Sequence, residues 1–460
     1  MDNLDEAVGK TVEGVSPESG TPVDRHVVPS RARSRQSRQF RALARPAHVN
    51  VRIHTFDAFK IRNFRLLWIA SIGSSGGFFM QQVVIGFVAY EITGSAFLTS
   101  LALGIDTLPM FIGGAFGGML VDMLDRRKLL AICFAYQGLL ALAFGALLFL
   151  DIANTWYLFA FVVLMGFSWI IIDPGRNALM AQSVPRTTLL NAFAVMSLAF
   201  GVTRLASPAL GGVLIGLDEG KFTGPVIALG LQGLLQVGAA LFAFMLKSEH
   251  HGAVPGHGAR GFIKDVGESF RYAFKEPFIV GLLLLMLLPG LFVMPYVSGL
   301  MPVLAADVFK VGPTGLGILF SAMGAGGLLG NLVVAALGGA KDKGRILALA
   351  SILTIGFMAL LGINRSFALA IPIILFLSAS FMGLLTLINA ALQSAVKDEM
   401  RGRIGGMIQV VWGISPLGYL LSGLLADYLG VLTAILIATA ALGVLRLGVF
   451  LKYRVISHFQ

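Results

Sequence analysis

The sequence predicts an all-α membrane protein of about twelve transmembrane helices, arranged as two six-helix pseudo-symmetric bundles. Three observations carry that expectation. The 460 residues are 56% hydrophobic and only 13% charged, with mean hydropathy +0.83, which no ordinary water-facing surface accommodates. Apolar runs recur from Leu66 almost to the C-terminus, each near the roughly twenty residues one helix needs to cross about 30 Å of hydrocarbon with its backbone internally paired. Basic residues gather in alternate gaps between those runs.

Residues 1–55 are rich in Pro, Ser, Gly and Arg, and Arg31, Arg33, Arg35, Arg38, Arg41 and Arg45 follow one another with no acid between them. They read as a disordered basic tail, a solvated arm or a dock for anionic lipid. Phe56, Phe59, Phe64 and Trp68, interleaved with Lys60, Arg62 and Arg65, suit an interfacial anchor. The first six-helix bundle occupies 56–246, with spans at Leu66 to Tyr90, Phe97 to Val121, Leu129 to Leu150, Trp156 to Met180, Leu189 to Leu217 and Val226 to Leu246. A linker, 247–277, begins with a Gly/His/Pro segment. It ends with Phe262, Val266, Phe270 and Phe274 at helical spacing among charges, an amphipathic surface helix. The second bundle, 278–452, has spans at Phe278 to Val303, Leu316 to Leu337, Ile346 to Ile363, Ala368 to Leu392, Ile404 to Ala426 and Val431 to Leu451, and 453–460 form a tail.

Arg126, Arg127 and Lys128, then Arg186, then the linker, then Lys341, Lys343 and Arg345, then Lys397, Arg401 and Arg403 mark the cytoplasmic loops. The opposite loops hold only Lys221, Lys310 and Arg365. Both termini are therefore expected in the cytoplasm, with the chain a multi-pass protein of the cell (inner) membrane. No cleavable signal peptide is visible, because the first apolar run follows about sixty polar residues.

Composition also excludes several functions. The net charge of +11 lies in loops and tail, so it describes topology and not nucleic-acid binding. Cys133 is alone, which rules out an internal disulfide, and His250, His251 and His257 lack metal-ligand spacing. No Walker loop, no His-Glu-x-x-His and no Gly-x-Ser-x-Gly pattern occurs. No cofactor is expected, the chain is not expected to be an enzyme, and a proton gradient is the expected energy source.

Three polar stretches interrupt the apolar spans. Gly118-Met-Leu-Val-Asp122-Met-Leu-Asp125-Arg126-Arg127-Lys128 forms a basic turn with an acid at its start. Asp173-Pro174-Gly175-Arg176-Asn177 puts an acid and a base at the end of the fourth span. Asp122, Arg126 and Asp173, with Arg176 beside them, form a candidate gate, whose plain alternative is a static ion cluster. Gly201-Val-Thr-Arg204-Leu-Ala-Ser207-Pro208-Ala-Leu-Gly211-Gly212 combines a proline with glycines that allow close helix contact. Arg204 lies deep, where an unpaired charge is costly, and Asp106 is similarly deep in the second span. Asp106 is the candidate proton-coupling acid and Arg204 its charge partner or a substrate contact, with a structural buried pair as the alternative. Lys341-Asp342-Lys343-Gly344-Arg345 and Gly413-Ile-Ser415-Pro416-Leu-Gly418 echo the first-half motifs, with Trp412 at the place of Arg204.

The Asp122 turn resembles the loop signature of the major facilitator superfamily, and the Pro208 stretch resembles the glycine-proline signature of its antiporters, with Ser207 and Asp125 replacing usual glycines. Phe64-Arg65-Leu66-Leu67-Trp68, Tyr90-Glu-Ile-Thr-Gly94-Ser95, Asp173-Pro174 through Asn191-Ala192, and Asp398-Glu399-Met400-Arg401-Gly402-Arg403 extend the likeness. They resemble the enterobactin-exporter-like efflux permeases, a branch that exports siderophores, macrolides and other amphiphiles. The resemblance implies a monomeric secondary transporter that exports small amphiphilic molecules by alternating access. An importer of a small organic solute is the alternative; an intramembrane enzyme or a non-transporting scaffold ranks below it. The resemblance also implies that the first, fourth, seventh and tenth spans line the cavity, offering Gln81, Gln82, Trp169, Met294, Tyr296, Thr386 and Asn389 to a ligand.

Overall fold

The computed structural model describes residues 57–109, 120–121, 123–217, 222–247, 271, 274, 276–337, 342–396, 407–408 and 410–453. The expected basic tail, Gly118, Asp122, the expected amphipathic linker helix apart from 271 and 274, the Arg401 and Arg403 loop, and 454–460 lie outside them.

The helices are α1 (Arg62–Thr93), α2 (Ala96–Gly104), α3 (Arg126–Phe149), α4 (Thr155–Ser183), α5 (Leu189–Ile215), α6 (Thr223–Phe244), α7 (Pro277–Phe292), α8 (Pro313–Ala336), α9 (Lys343–Ile363), α10 (Phe367–Ala395), α11 (Ser415–Leu429) and α12 (Val431–Lys452). Among the described residues no β-strand occurs, and 11 helical stretches are long and apolar enough to cross a membrane. The shorter apolar stretch Ala96–Thr107 contains α2 and a 3₁₀ turn at Ile105–Thr107.

Local chemistry sets the ends. Gly94 turns the chain between α1 and α2 at φ 61°, a conformation glycine adopts without strain, and the Ser95 hydroxyl then accepts from the Leu98 N–H at 3.2 Å. Asp125 accepts from the Arg127 and Lys128 N–H groups to start α3, and Asn154 accepts from Trp156 and Tyr157 to start α4. Phe59 packs edge-on against Phe64 and Trp68 at the start of α1, beside the Asp57–Lys60 turn. One boundary differs from expectation. The seventh span does not end at Val303 but stays helical to Val308, through π-turns at Pro295–Gly299 and Leu304–Val308. Pro295 and Pro302 each lack an N–H, and the wider turn re-pairs the backbone where the α ladder is broken.

Burial is inverted relative to a water-soluble bundle. On α6, Gln232 and Gln236 are buried while Leu234 and Leu241 are 68% and 64% exposed. Lipid tails, as apolar as leucine, solvate such a face, and the polar side chains turn inward to find partners. Within 62–244, α1 packs on α5 and α6, and α3 on α4 and α6; within 277–452, α8 packs on α10, and α9 on α10 and α12. Two seams join these sets, α5 against α8 and α2 against α11.

Candidate functional site

The α5–α8 seam is made of backbone at close range. Gly212 and Gly317 face each other, and a β-carbon added to Gly317 would lie 2.6 Å from the Pro208 carbonyl oxygen. Gly324 abuts the Arg204 carbonyl, and Gly201 faces Leu328. On its other side α5 meets α1, with Gly211 against Met80 and the Ser207 hydroxyl against Gly76. The glycine-proline stretch of α5 therefore serves two contacts at once, one within its own helix set and one across the seam.

Arg204 opens from this seam into a cleft of about 290 Å³, shared with Ser71, Ser75, Arg176, Asn177, Phe200 and Asn331. Its Nη1 donates to the Met382 thioether at 3.7 Å, its guanidinium lies 5.9 Å from the Phe79 ring centre, and its buried Nε has no hydrogen-bond partner. Among the described residues no carboxylate forms an ion pair with it. Asp106, on the Ile105–Thr107 turn, is half-buried, and its backbone carbonyl lies against Gly166 of α4. The structure does not bring Asp106 and Arg204 into contact.

Asp173 pairs with Arg176 at 2.6 Å within α4, and the Arg176 guanidinium lies 5.5 Å from the Phe200 ring centre. Arg126 donates to the Val121 carbonyl at 3.1 Å. At the opposite ends of the helices, the second set holds the first through two acids. The Tyr90 hydroxyl meets both Asp307 oxygens at 2.7 Å. Asp427 accepts from the Ser95 hydroxyl at 2.7 Å and from the Ala96 and Phe97 N–H groups at 2.7 and 3.2 Å, capping the start of α2 from the end of α11.

A family model described as transmembrane secretion effector matches residues 53–457, nearly the whole chain. The chain belongs to this family of the major facilitator superfamily. It is 26% identical over 392 residues to the multidrug efflux pump Tap of Mycolicibacterium fortuitum, covering 79% of this chain and 89% of that one. It is 25% identical over 388 residues to macrolide efflux protein A of Streptococcus pyogenes, covering 80% and 90%, and 25% identical over 398 residues to the enterobactin exporter EntS of Shigella boydii serotype 4, covering 84% and 90%. Its fold matches the inward-facing, unoccupied structure of a bacterial homologue of the lysosomal transporter Spinster, with TM-score 0.66 at 16% identity over 86% of this chain and 97% of that one. It also matches the nucleoside transporter NupG, with TM-score 0.64 at 13% identity over 85% and 99%. The superfamily consists of transporters, not enzymes.

Within this superfamily frame, the expected cavity residues lie apart from the Arg204 cleft. Gln81 is buried and bonds to Gln232, and Gln82 is half-buried. Trp169 packs on Phe78 at 4.5 Å, Met294 is half-buried, and Tyr296 is 2% exposed. The Asn389 amide bonds to its own helix at Leu385. Thr386 alone touches the cleft lining, donating to Asn331 Oδ1 at 2.7 Å. Sequence reasoning missed Asn331, although a lone Asn in a glycine-rich apolar span was a usable signal. It also missed Tyr90, Asp307 and Asp427, whose partners lie more than two hundred residues away, and Arg446, which is 1% exposed inside α12.

Proposed function

We propose that this protein is a proton-driven secondary exporter of amphiphilic small molecules in the inner membrane, a monomer working by alternating access with both termini in the cytoplasm. The observation that carries the reading is the pair of seams: a glycine-packed α5–α8 contact beside an Arg204-lined cleft, and acid latches at the other end. Relatives named as multidrug, macrolide and enterobactin exporters support the cargo class and the direction. Basic residues at one set of helix ends, among them Arg126, Arg176 and Arg345, support a cytoplasmic placement of that end. The latches then close the outer face, and rocking of one helix set against the other opens them as the inner face closes, with Asp122, Arg126, Asp173 and Arg176 as the candidate gate there.

Asp106 carries the proton in this account, because a carboxyl deep in a span with no ion-pair partner among the described residues is suited to exchange one with each cycle. The test is dye retention in an efflux-deficient bacterial host. Wild type lowers steady-state accumulation, a protonophore or Asp106→Asn restores it, and reporter fusions at both termini report the cytoplasm. Unchanged accumulation across a broad set of amphiphiles, with the protein in the membrane, contradicts the reading.

A further inference from the structure

We propose that the Arg204 cleft receives an anionic head group, so that the cargo class is amphiphiles bearing a carboxylate, sulfonate or phosphate. This rests on the reading of the chain as a small-molecule exporter and names the chemistry its site selects. Among the described residues the cleft holds two guanidinium groups, of which one has an acidic partner: Arg176 pairs with Asp173 at 2.6 Å, whereas Arg204 meets a thioether and an aromatic face. The Arg204 Nε is buried and unpaired.

The neighbouring polar groups are set to donate. Thr386 uses the Oδ1 of Asn331, which leaves that amide's N–H groups without a partner among the described residues, and Asn177 lines the same cleft. A planar guanidinium with a free edge and an amide beside it matches the two oxygens of a carboxylate or sulfonate. Phe193 and Phe200 line the same cleft, Phe200 beneath the Arg176 guanidinium, and offer an apolar wall for the body next to that head. A cationic amphiphile meets a net positive charge in the same place and is disfavoured.

Fluorescein and rhodamine 6G share a ring scaffold and differ in charge, so their equilibrium binding to the purified protein in nanodiscs, corrected for empty discs, tests the site. Wild type binds fluorescein at least tenfold more tightly. Arg204→Gln removes that preference and leaves rhodamine binding equal or stronger, while Arg204→Lys keeps part of it. Asn331→Leu weakens fluorescein binding with Arg204 intact and carries the test if Arg204→Gln does not fold. Equal affinity for the two dyes in wild type, or a parallel loss of both in Arg204→Gln, overturns the proposal. Transport of both dyes at wild-type rates by Arg204→Gln also overturns it and leaves the exporter reading in place. Arg204-dependent fluorescein binding without transport of any dye supports the anion site and counts against export.

Discussion

Arg446 is the largest fully buried side chain of the described residues, yet only its Nη1 is satisfied, by the Ser351 carbonyl at 3.2 Å; Nε and Nη2 have no partner. Near the end of a span an arginine ordinarily reaches for the interface, so nothing in the local pattern singles it out. Its inward rotamer follows from packing between α9 and α12, a contact no local pattern encodes. A buried guanidinium so poorly paired costs more in desolvation than it returns. Arg446→Met should hold or raise the melting temperature of the purified protein, with a gain of about 1–4 kcal/mol as the outer limit. A clear fall in melting temperature would mean that the charge is compensated. Arg204 was legible for the opposite reason: it lies too deep in its span to reach the membrane interface, which marks it as costly from the sequence alone.

Elements show where legibility stopped. The spans were readable because hydrocarbon forces each backbone to pair internally, and the glycines of α5 were readable as a contact face. Which helix they contact was not readable, since Gly212 and Gly317 lie on spans separated by the whole linker. Gly317→Ala should push α8 off the Pro208 carbonyl and cost about 1–3 kcal/mol, read as a lower melting temperature with α-helical content unchanged. The sequence places the end of the seventh span at Val303, whereas π-turns carry the helix on to Val308 and deliver Asp307 to Tyr90. The second latch, Asp427 on the start of α2, lay in what reads as a four-residue loop. Asp427→Ala removes a cap of about 0.5–2 kcal/mol. With Cys133 replaced by serine, a cysteine at Ser100, buried beside Tyr419 and Ser422, should then react several-fold faster with a membrane-impermeant maleimide. Unchanged labelling would show that Asp427 does not hold the seam.

At the scale of the whole molecule, two helix sets meet along two seams of different character. One is backbone on backbone, and the other sets an acid against a helix end. That pairing suits the proposed device with two arrangements, in which, as we propose, a proton taken at Asp106 and an anion released from Arg204 bias the same rocking motion. The measurement that tests this account most directly is transport by the purified protein in liposomes under an imposed pH gradient, without nucleotide, comparing wild type with Asp106→Asn. Gradient-dependent movement of fluorescein that Asp106→Asn abolishes, with binding retained, is the predicted result. Movement that ignores the gradient, or survives Asp106→Asn undiminished, would contradict it.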